Sequence, residues 1–314
     1  MIKIDLITGF LGSGKTTFIK YYAKYLLRTG QRICILENDF GAINVDRVLL
    51  QDLLGDHCGM EMIVGGDGQE AHQRRMRTKL IAMAMSGYER IIVEPSGIFD
   101  VDELFDLLYE DPIDRWYEMG NVLTIVDTGL PEELTEESDY LLASQCACAG
   151  RLILSRTQLY EKEKQESVLS HINAAMDRIG SKRRFLLDRD AETADWEKFT
   201  QEDFERLSNT GYVRDSYVKQ PVIESGHFSS LFCFYLELSE SDLNDRIRRV
   251  FNDPACSGIF RIKGYMHTSE GRWIQLNATR EAVDITDCTE AQNVLIFIGE
   301  ALDKNDLQKY FPVR

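Results

Sequence analysis

Gly9-Phe10-Leu11-Gly12-Ser13-Gly14-Lys15-Thr16 stands directly behind the apolar run Ile2–Ile7. The spacing fits G-x-x-x-x-G-K-[ST], a pattern built to hold phosphate. Glycines let the backbone fold tightly around an anion, so that successive N–H groups point inward. The N-terminus of a following helix adds partial positive charge. On this reading Gly9, Gly12, Ser13, Gly14, Lys15, Thr16 and Thr17 bind a nucleoside triphosphate. Lys15 reaches the β- and γ-phosphates, and the Thr16 hydroxyl holds Mg²⁺. A Gly-rich turn without a ligand fits the same letters. The context favours the phosphate site, because a strand precedes the motif and Phe18, Ile19, Tyr22, Ala23, Leu26 and Leu27 recur behind it at helical spacing. Gly30 is placed to stop that helix.

Two further constellations carry oxygen ligands. Ile91-Ile92-Val93-Glu94-Pro95-Ser96-Gly97 is an apolar strand ending in a carboxylate, with a glycine three positions on. A strand-end carboxylate of this kind holds Mg²⁺ directly or through water, and Gly97 can offer its N–H to a γ-phosphate. Glu37-Asn38-Asp39-Phe40-Gly41, with Asp46 beyond, ends another strand. Its carboxylates can reach the metal or the attacking water, or the segment is an Asn/Asp/Gly turn leading into a helix.

The elements that must position these groups alternate. Strands are expected at Ile2–Ile7, Ile33–Leu36, Glu61–Val64, Arg90–Val93, Val122–Val126, Leu152–Leu154 and Phe185–Leu187, with helices such as Gln69–Met85 and Val101–Leu108 between them. That alternation predicts an α/β fold, a three-layer arrangement with a parallel sheet covered on both faces. Thr8, Glu37, Glu94 and Asp127 all lie at strand ends, where such sheets place ligands. The pattern weakens from Asp188 to Ser225. Beyond it, a strand at Leu231–Leu238, a helix at Leu243–Phe251, strands at Ile259–Gly264, Arg272–Asn277 and Asn293–Ile298 and a helix at Lys304–Tyr310 predict a smaller α+β domain with an antiparallel sheet. The domains are therefore 1–188, a P-loop nucleotide-binding domain; 189–225, a connecting segment; and 226–314, the C-terminal α+β domain.

Bulk composition excludes some classes. The 314 residues carry a net charge of −16, and the dense basic clusters, Arg74–Arg77 and Lys182–Arg184, are short. A nucleic-acid partner needs a basic face, so none is expected. No apolar run approaches the roughly 18 residues of a membrane span, and no charged leader with a cleavage site precedes the first strand. A cytoplasmic location follows by default. Seven cysteines without regular spacing argue against a disulfide scaffold. Cys146 and Cys148, two apart in a helical stretch, point to nearly opposite sides and read as buried residues.

The sequence resembles the CobW-type family of P-loop GTPases over nearly its whole length. Gly9–Thr17 is similar to G-F-L-G-[SA]-G-K-T-T, Asn38-Asp39-Phe40-Gly41 to N-E-F-G, Glu94–Gly97 to E-x-[TS]-G, and Val126-Asp127 to a strand-closing V-D. Arg261–Gly264, Trp273 and Ile296–Gly299 resemble the family's C-terminal domain. The resemblance implies a GTPase with Asp39 joining Thr16 and Glu94 around Mg²⁺. It implies Lys15, Asp39 and Glu94 as the catalytic group and Gly97 as the γ-phosphate sensor. It also implies a client protein, a metallo- or corrinoid enzyme as in metal delivery or cobalamin biosynthesis, and it allows a homodimer. Two departures stand out. Where the family has G-C-x-C-C, this chain has Gly65-Gly66-Asp67-Gly68-Gln69, so the thiolates for a soft cation are missing. A turn at Gly66–Gly68, or a harder site from Asp67, Glu70 and His72, is what remains. Where the family reads guanine with N-K-x-D, this chain has Ser155-Arg156-Thr157-Gln158. Arg156 can stack over a base and Gln158 can accept one hydrogen bond, but the charge-assisted pairing of an aspartate is gone.

These features predict slow Mg²⁺-dependent hydrolysis of GTP, or of ATP, coupled to a conformational switch. The alternatives are a nucleotide-gated adaptor that does not hydrolyse, and an ATP-preferring homologue without metal cargo.

Overall fold

The computed structural model describes residues 1–39, 49–64, 69–96, 101–218, 228–280, 282–288 and 292–313. The chain divides into two compact units, Met1–Val222 and Ile223–Arg314.

The first unit is built on a seven-stranded sheet of order β3-β2-β4-β1-β5-β6-β7. Its strands are β1 (Ile2–Thr8), β2 (Ile33–Asp39), β3 (Cys58–Val64), β4 (Arg90–Glu94), β5 (Tyr117–Asp127), β6 (Arg151–Ser155) and β7 (Ala191–Glu192). All of its pairings are parallel. β4 is buried along its full length and β1 from Ile4 onward, which only a sheet covered on both faces allows. On one face α1 (Lys15–Arg28) and α6 (Gln201–Leu207) pack Phe18, Ile19, Tyr22, Leu26, Phe204 and Leu207 against Ile7, Ile35, Ile92 and Ile125. On the other lie α2 (Gln69–Ala84), α3 (Val101–Leu108), α4 (Glu136–Ala147) and α5 (Lys162–Arg178), with Leu80, Leu104, Ala143 and Ile172 in their cores. Each fully buried aliphatic side chain of this kind contributes about 1.5–3 kcal/mol. α1 ends as expected: Gly30 takes φ 84°, and the Gln31 N–H closes on Leu26 O at 3.3 Å.

The outermost strand differs from expectation. It is Ala191–Glu192 and not Phe185–Leu187. Phe185 is buried, but its N–H donates to Asn173 Oδ1 at 2.9 Å and its carbonyl accepts from Asn173 Nδ2 at 3.0 Å. A side-chain amide on α5 takes the hydrogen bonds a neighbouring strand would have made. β7 and α6, which fall in 189–225, therefore pack with the first unit.

The second unit is an antiparallel sheet of order β11-β10-β9-β12-β8. Its strands are β8 (Phe228–Phe234), β9 (Ile259–His267), β10 (Trp273–Ala278), β11 (Val283–Asp287) and β12 (Val294–Glu300). α7 (Glu240–Asn252) buries Leu243, Ile247, Val250 and Phe251 against one face, and its N-terminus is capped by Ser239 Oγ accepting from Asp242 N–H. β11, polar on alternate positions, was not expected.

One charged residue sits inside the sheet. Asp5, fully buried in mid-β1, accepts from Tyr22 Oη at 2.7 Å, Arg90 Nη1 at 2.5 Å, Asn121 N at 3.0 Å and Asn121 Nδ2 at 2.8 Å. Asn121 in turn donates to Ser208 O at 2.9 Å and accepts from Gly211 N at 2.8 Å. Burial, then the Asp5 charge, raises the Tyr22 phenol well above its ordinary pKa, so it stays a donor. The network ties β1, β4, β5, α1 and the stretch after α6 to one carboxylate. Removing one partner of a buried pair strands the other charge, so Asp5→Ala should cost about 3–5 kcal/mol in urea unfolding. The double variant with Arg90→Met should cost less than the two single changes added.

Candidate functional site

β1 ends at the buried Thr8, and the chain turns over the sheet's carboxyl edge on three glycines in left-handed backbone, Gly9 (φ 145°), Gly12 (φ 77°) and Gly14 (φ 103°). At Gly9 a Cβ would lie 2.2 Å from Ile125 O, so the loop lies directly on β5 and no side chain fits. Gly14 is the N-cap of α1, and no side chain caps that end or places an acid in its first turn. The first N–H groups of α1 therefore have no side-chain acceptor at the cap position. Lys15 folds back across the loop, its Nζ donating to Gly9 O at 3.0 Å and Phe10 O at 3.5 Å. Ser13 Oγ is buried with no hydrogen-bond partner among the described residues. Thr17 lies half-buried in the first turn of α1.

Thr16 and Glu94 meet: Thr16 Oγ1 donates to Glu94 Oε1 at 2.8 Å. Glu37 pairs in register with Glu94 across β2 and β4, and both are buried, 4% and 8% exposed. Adjacent buried carboxylates beside a threonine hydroxyl form an all-oxygen donor set, the kind that suits a hard divalent cation such as Mg²⁺. Glu37 was noted in the sequence as a strand-end carboxylate, but its placement beside Glu94 depends on strand order, which the sequence does not carry. Asp39 closes β2, with its side chain outside the described residues. Gly97, Asp46 and the 65–68 segment also lie outside them.

On the other side of the loop, Arg156 takes a left-handed conformation at the end of β6 (φ 57°). Its guanidinium pairs with Asp127 at the end of β5 and donates to Gly12 O at 3.1 Å. Arg156 thereby ties the glycine loop to the neighbouring strand. Gln158 stands exposed on the next turn, Thr157–Leu159. A residue the sequence did not single out also reaches the loop. Trp196, four residues beyond β7, brings its ring edge within 3.2 Å of where a Cβ on Gly14 would be. The only sequence signal was an aromatic in a stretch of weak pattern.

Among the described residues no group of three His, Cys, Asp or Glu could hold a metal ion. Cys146 and Cys148 are buried, and burial pushes their thiols up to about 12 and about 11. His72, named as one ligand of the alternative harder site, lies with Nε2 2.6 Å from Asn38 Oδ1, joining the start of α2 to the end of β2. No described helix is long and apolar enough to cross a membrane.

The sequence pattern described as "CobW/HypB/UreG, nucleotide-binding domain" matches residues 3–185, and that of the "Cobalamin synthesis protein cobW C-terminal domain" matches 231–312. The chain is 27% identical over 169 residues to the Escherichia coli zinc chaperone YeiR, covering 54% of this chain and 50% of that protein. It is 26% identical over 183 residues to the E. coli zinc chaperone YjiA, covering 55% of each. It is 22% identical to the Schizosaccharomyces pombe zinc-regulated GTPase metalloprotein activator 1, covering 92% of this chain and 78% of that one. The chain thus spans about half the length of the two bacterial relatives.

Burial, and then the Arg75 charge, lowers the His72 pKa from its ordinary 6.5. The unfolded chain therefore takes up the proton first as pH falls. The stability owed to neutral His72 is complete above about pH 6.5 and is lost as pH drops through the lower folded-state value. Thermal unfolding of His72→Gln should decline less than wild type between about pH 7.5 and about 5.5.

Proposed function

This chain belongs to the CobW/HypB/UreG family of nucleotide-binding proteins, and from that membership we propose that it binds a Mg²⁺–nucleoside triphosphate and hydrolyses it slowly. The resulting change of state acts on a client protein. The observation that carries the reading is the glycine nest over β5, with Lys15 folded into it and the Thr16–Glu94 pair at its edge.

The residues divide the work. N–H groups from Gly12 to Thr17 neutralise the phosphate oxygens, in a place where no side chain competes for them. Lys15 exchanges the Gly9 carbonyl for the β- and γ-phosphates. Thr16, Glu94 and Asp39 hold Mg²⁺, which when bound neutralises charge on the β- and γ-oxygens. Glu94 also orients the attacking water, and Gly97 senses the γ-phosphate. GTP is the proposed substrate on family grounds. The guanine preference is weakened, because Gln158 offers an amide where an aspartate would accept two hydrogen bonds.

The relatives are described as zinc chaperones and a metalloprotein activator, which supports a metalloenzyme as the client. Delivery to a corrinoid enzyme rests on the family's name alone. With Gly66, Gly68 and Gln69 where the family carries cysteines, a thiolate-held cargo is not part of the proposal. The setting proposed is cytoplasmic. The same missing cysteines favour the second reading, an adaptor that binds nucleotide without turning it over.

Phosphate release and calorimetry separate the readings. Lys15→Ala should lower Mg²⁺–GTP affinity by about a hundredfold or more and abolish turnover. Glu94→Gln should keep nucleotide binding within about tenfold while turnover falls by about a hundredfold. Binding without Mg²⁺-dependent turnover in the wild type would establish the adaptor instead.

A further inference from the structure

The two ends of a triphosphate cannot lie on the same side of the loop that grips its middle. β2 and β4 flank β1 on one side and bring Glu37 and Glu94 to the cation-binding edge. The terminal phosphate belongs there. The nucleoside must then leave toward β5, β6 and β7, on the other side of β1.

Three features lie on that side. Arg156 is engaged by Asp127 and Gly12 O. Gln158 is exposed on the turn after β6. Trp196 is half-buried, with its six-membered ring edge at Gly14 and packed edge-on against Phe18 at 5.7 Å between ring centroids. We infer that Trp196 forms a wall of the nucleoside pocket and contributes affinity by stacking on the purine, in place of hydrogen bonds to the base edge. This inference rests on the nucleotide reading above and adds how the base is held.

The indole is held in place from several directions. Asp195 Oδ1 accepts from Glu197 N–H at 3.1 Å, fixing the turn that carries it. Thr200 and Asp203 form a capping box that starts α6 directly behind. The turn packs against α1, where Trp196 meets Phe18 in one buried cluster, and the Glu197 and Asp195 carboxylates, after burial, raise the pKa of the Tyr21 phenol. A rigid aromatic loses little entropy on contact with a base, and stacking is tolerant of which base it meets, because every base has a π face. Trp196 should therefore contribute equally to guanine and adenine nucleotides.

The test compares Mg²⁺ complexes of GTP, ATP and inorganic tripolyphosphate, which has the phosphates and no nucleoside. Trp196→Ala should weaken GTP and ATP by the same factor, about tenfold or more, and leave tripolyphosphate unchanged. Trp196→Phe should recover most of the loss. Unchanged nucleotide affinity in Trp196→Ala would overturn the inference, and so would a parallel loss of tripolyphosphate, which would mean that the indole only props the loop. A second measurement does not need the alanine variant to fold. With Trp116 and Trp273 both changed to Phe, Trp196 is the remaining tryptophan. GTP and ATP should quench its emission and tripolyphosphate should not; quenching by all three or by none overturns the inference. Wild-type protein that binds tripolyphosphate as tightly as nucleotide sinks the stacking alone, whereas failure to bind any of the three removes the nucleotide reading with it.

Discussion

The site depends on one steric constraint: the backbone at Gly9 lies so close to the Ile125 carbonyl that no Cβ fits between them. That contact presses the loop onto β5, and the chain curls from it into α1. The left-handed backbone at Gly12 and Gly14 follows from the same curl. The glycine loop at the N-terminus of a 14-residue helix, with no side-chain cap and no acid in its first turn, is electrostatically positive. In a chain of net charge −16, this loop is a local exception. The Lys15 ammonium already lies inside it, held by carbonyls that a phosphate can replace.

The rest of the first unit keeps that loop in place. Parallel pairing brings the ends of β2, β4, β5 and β6 to the same edge, so that carboxylates approach from one side and Arg156 from the other. The Asp5 network braces β1 from within, joining the strand that launches the loop to α1, which receives it. Its extension through Asn121 to Ser208 and Gly211 ties the chain beyond α6 to the same strand. A shift of β1 would therefore be felt along that stretch.

What could be read in advance follows from range. The backbone course of the glycine loop is written in consecutive residues, because its conformation is set by glycine positions, and that turn between β1 and α1 was legible. So were the helix stop at Gly30 and the antiparallel character of the second unit. Contacts that depend on strand order were not. Nothing local announces that Glu37 stands beside Glu94, or that Arg156 reaches Gly12. Phe185 read as a strand because it is apolar, yet Asn173 satisfies its backbone. Nothing local marks Asp5 as the hub of a buried network either, since its partners lie up to 116 positions away. Trp196 was hidden in a segment where periodicity fails.

Amide chemical shifts test the central claim most directly. On titration of ¹⁵N-labelled protein with Mg²⁺–GTP, the N–H resonances of Gly14, Lys15 and Thr16 should move strongly downfield together, as charge-assisted hydrogen bonds to phosphate form. Saturating nucleotide that leaves those three amides where they were, whatever else moves, would contradict the account.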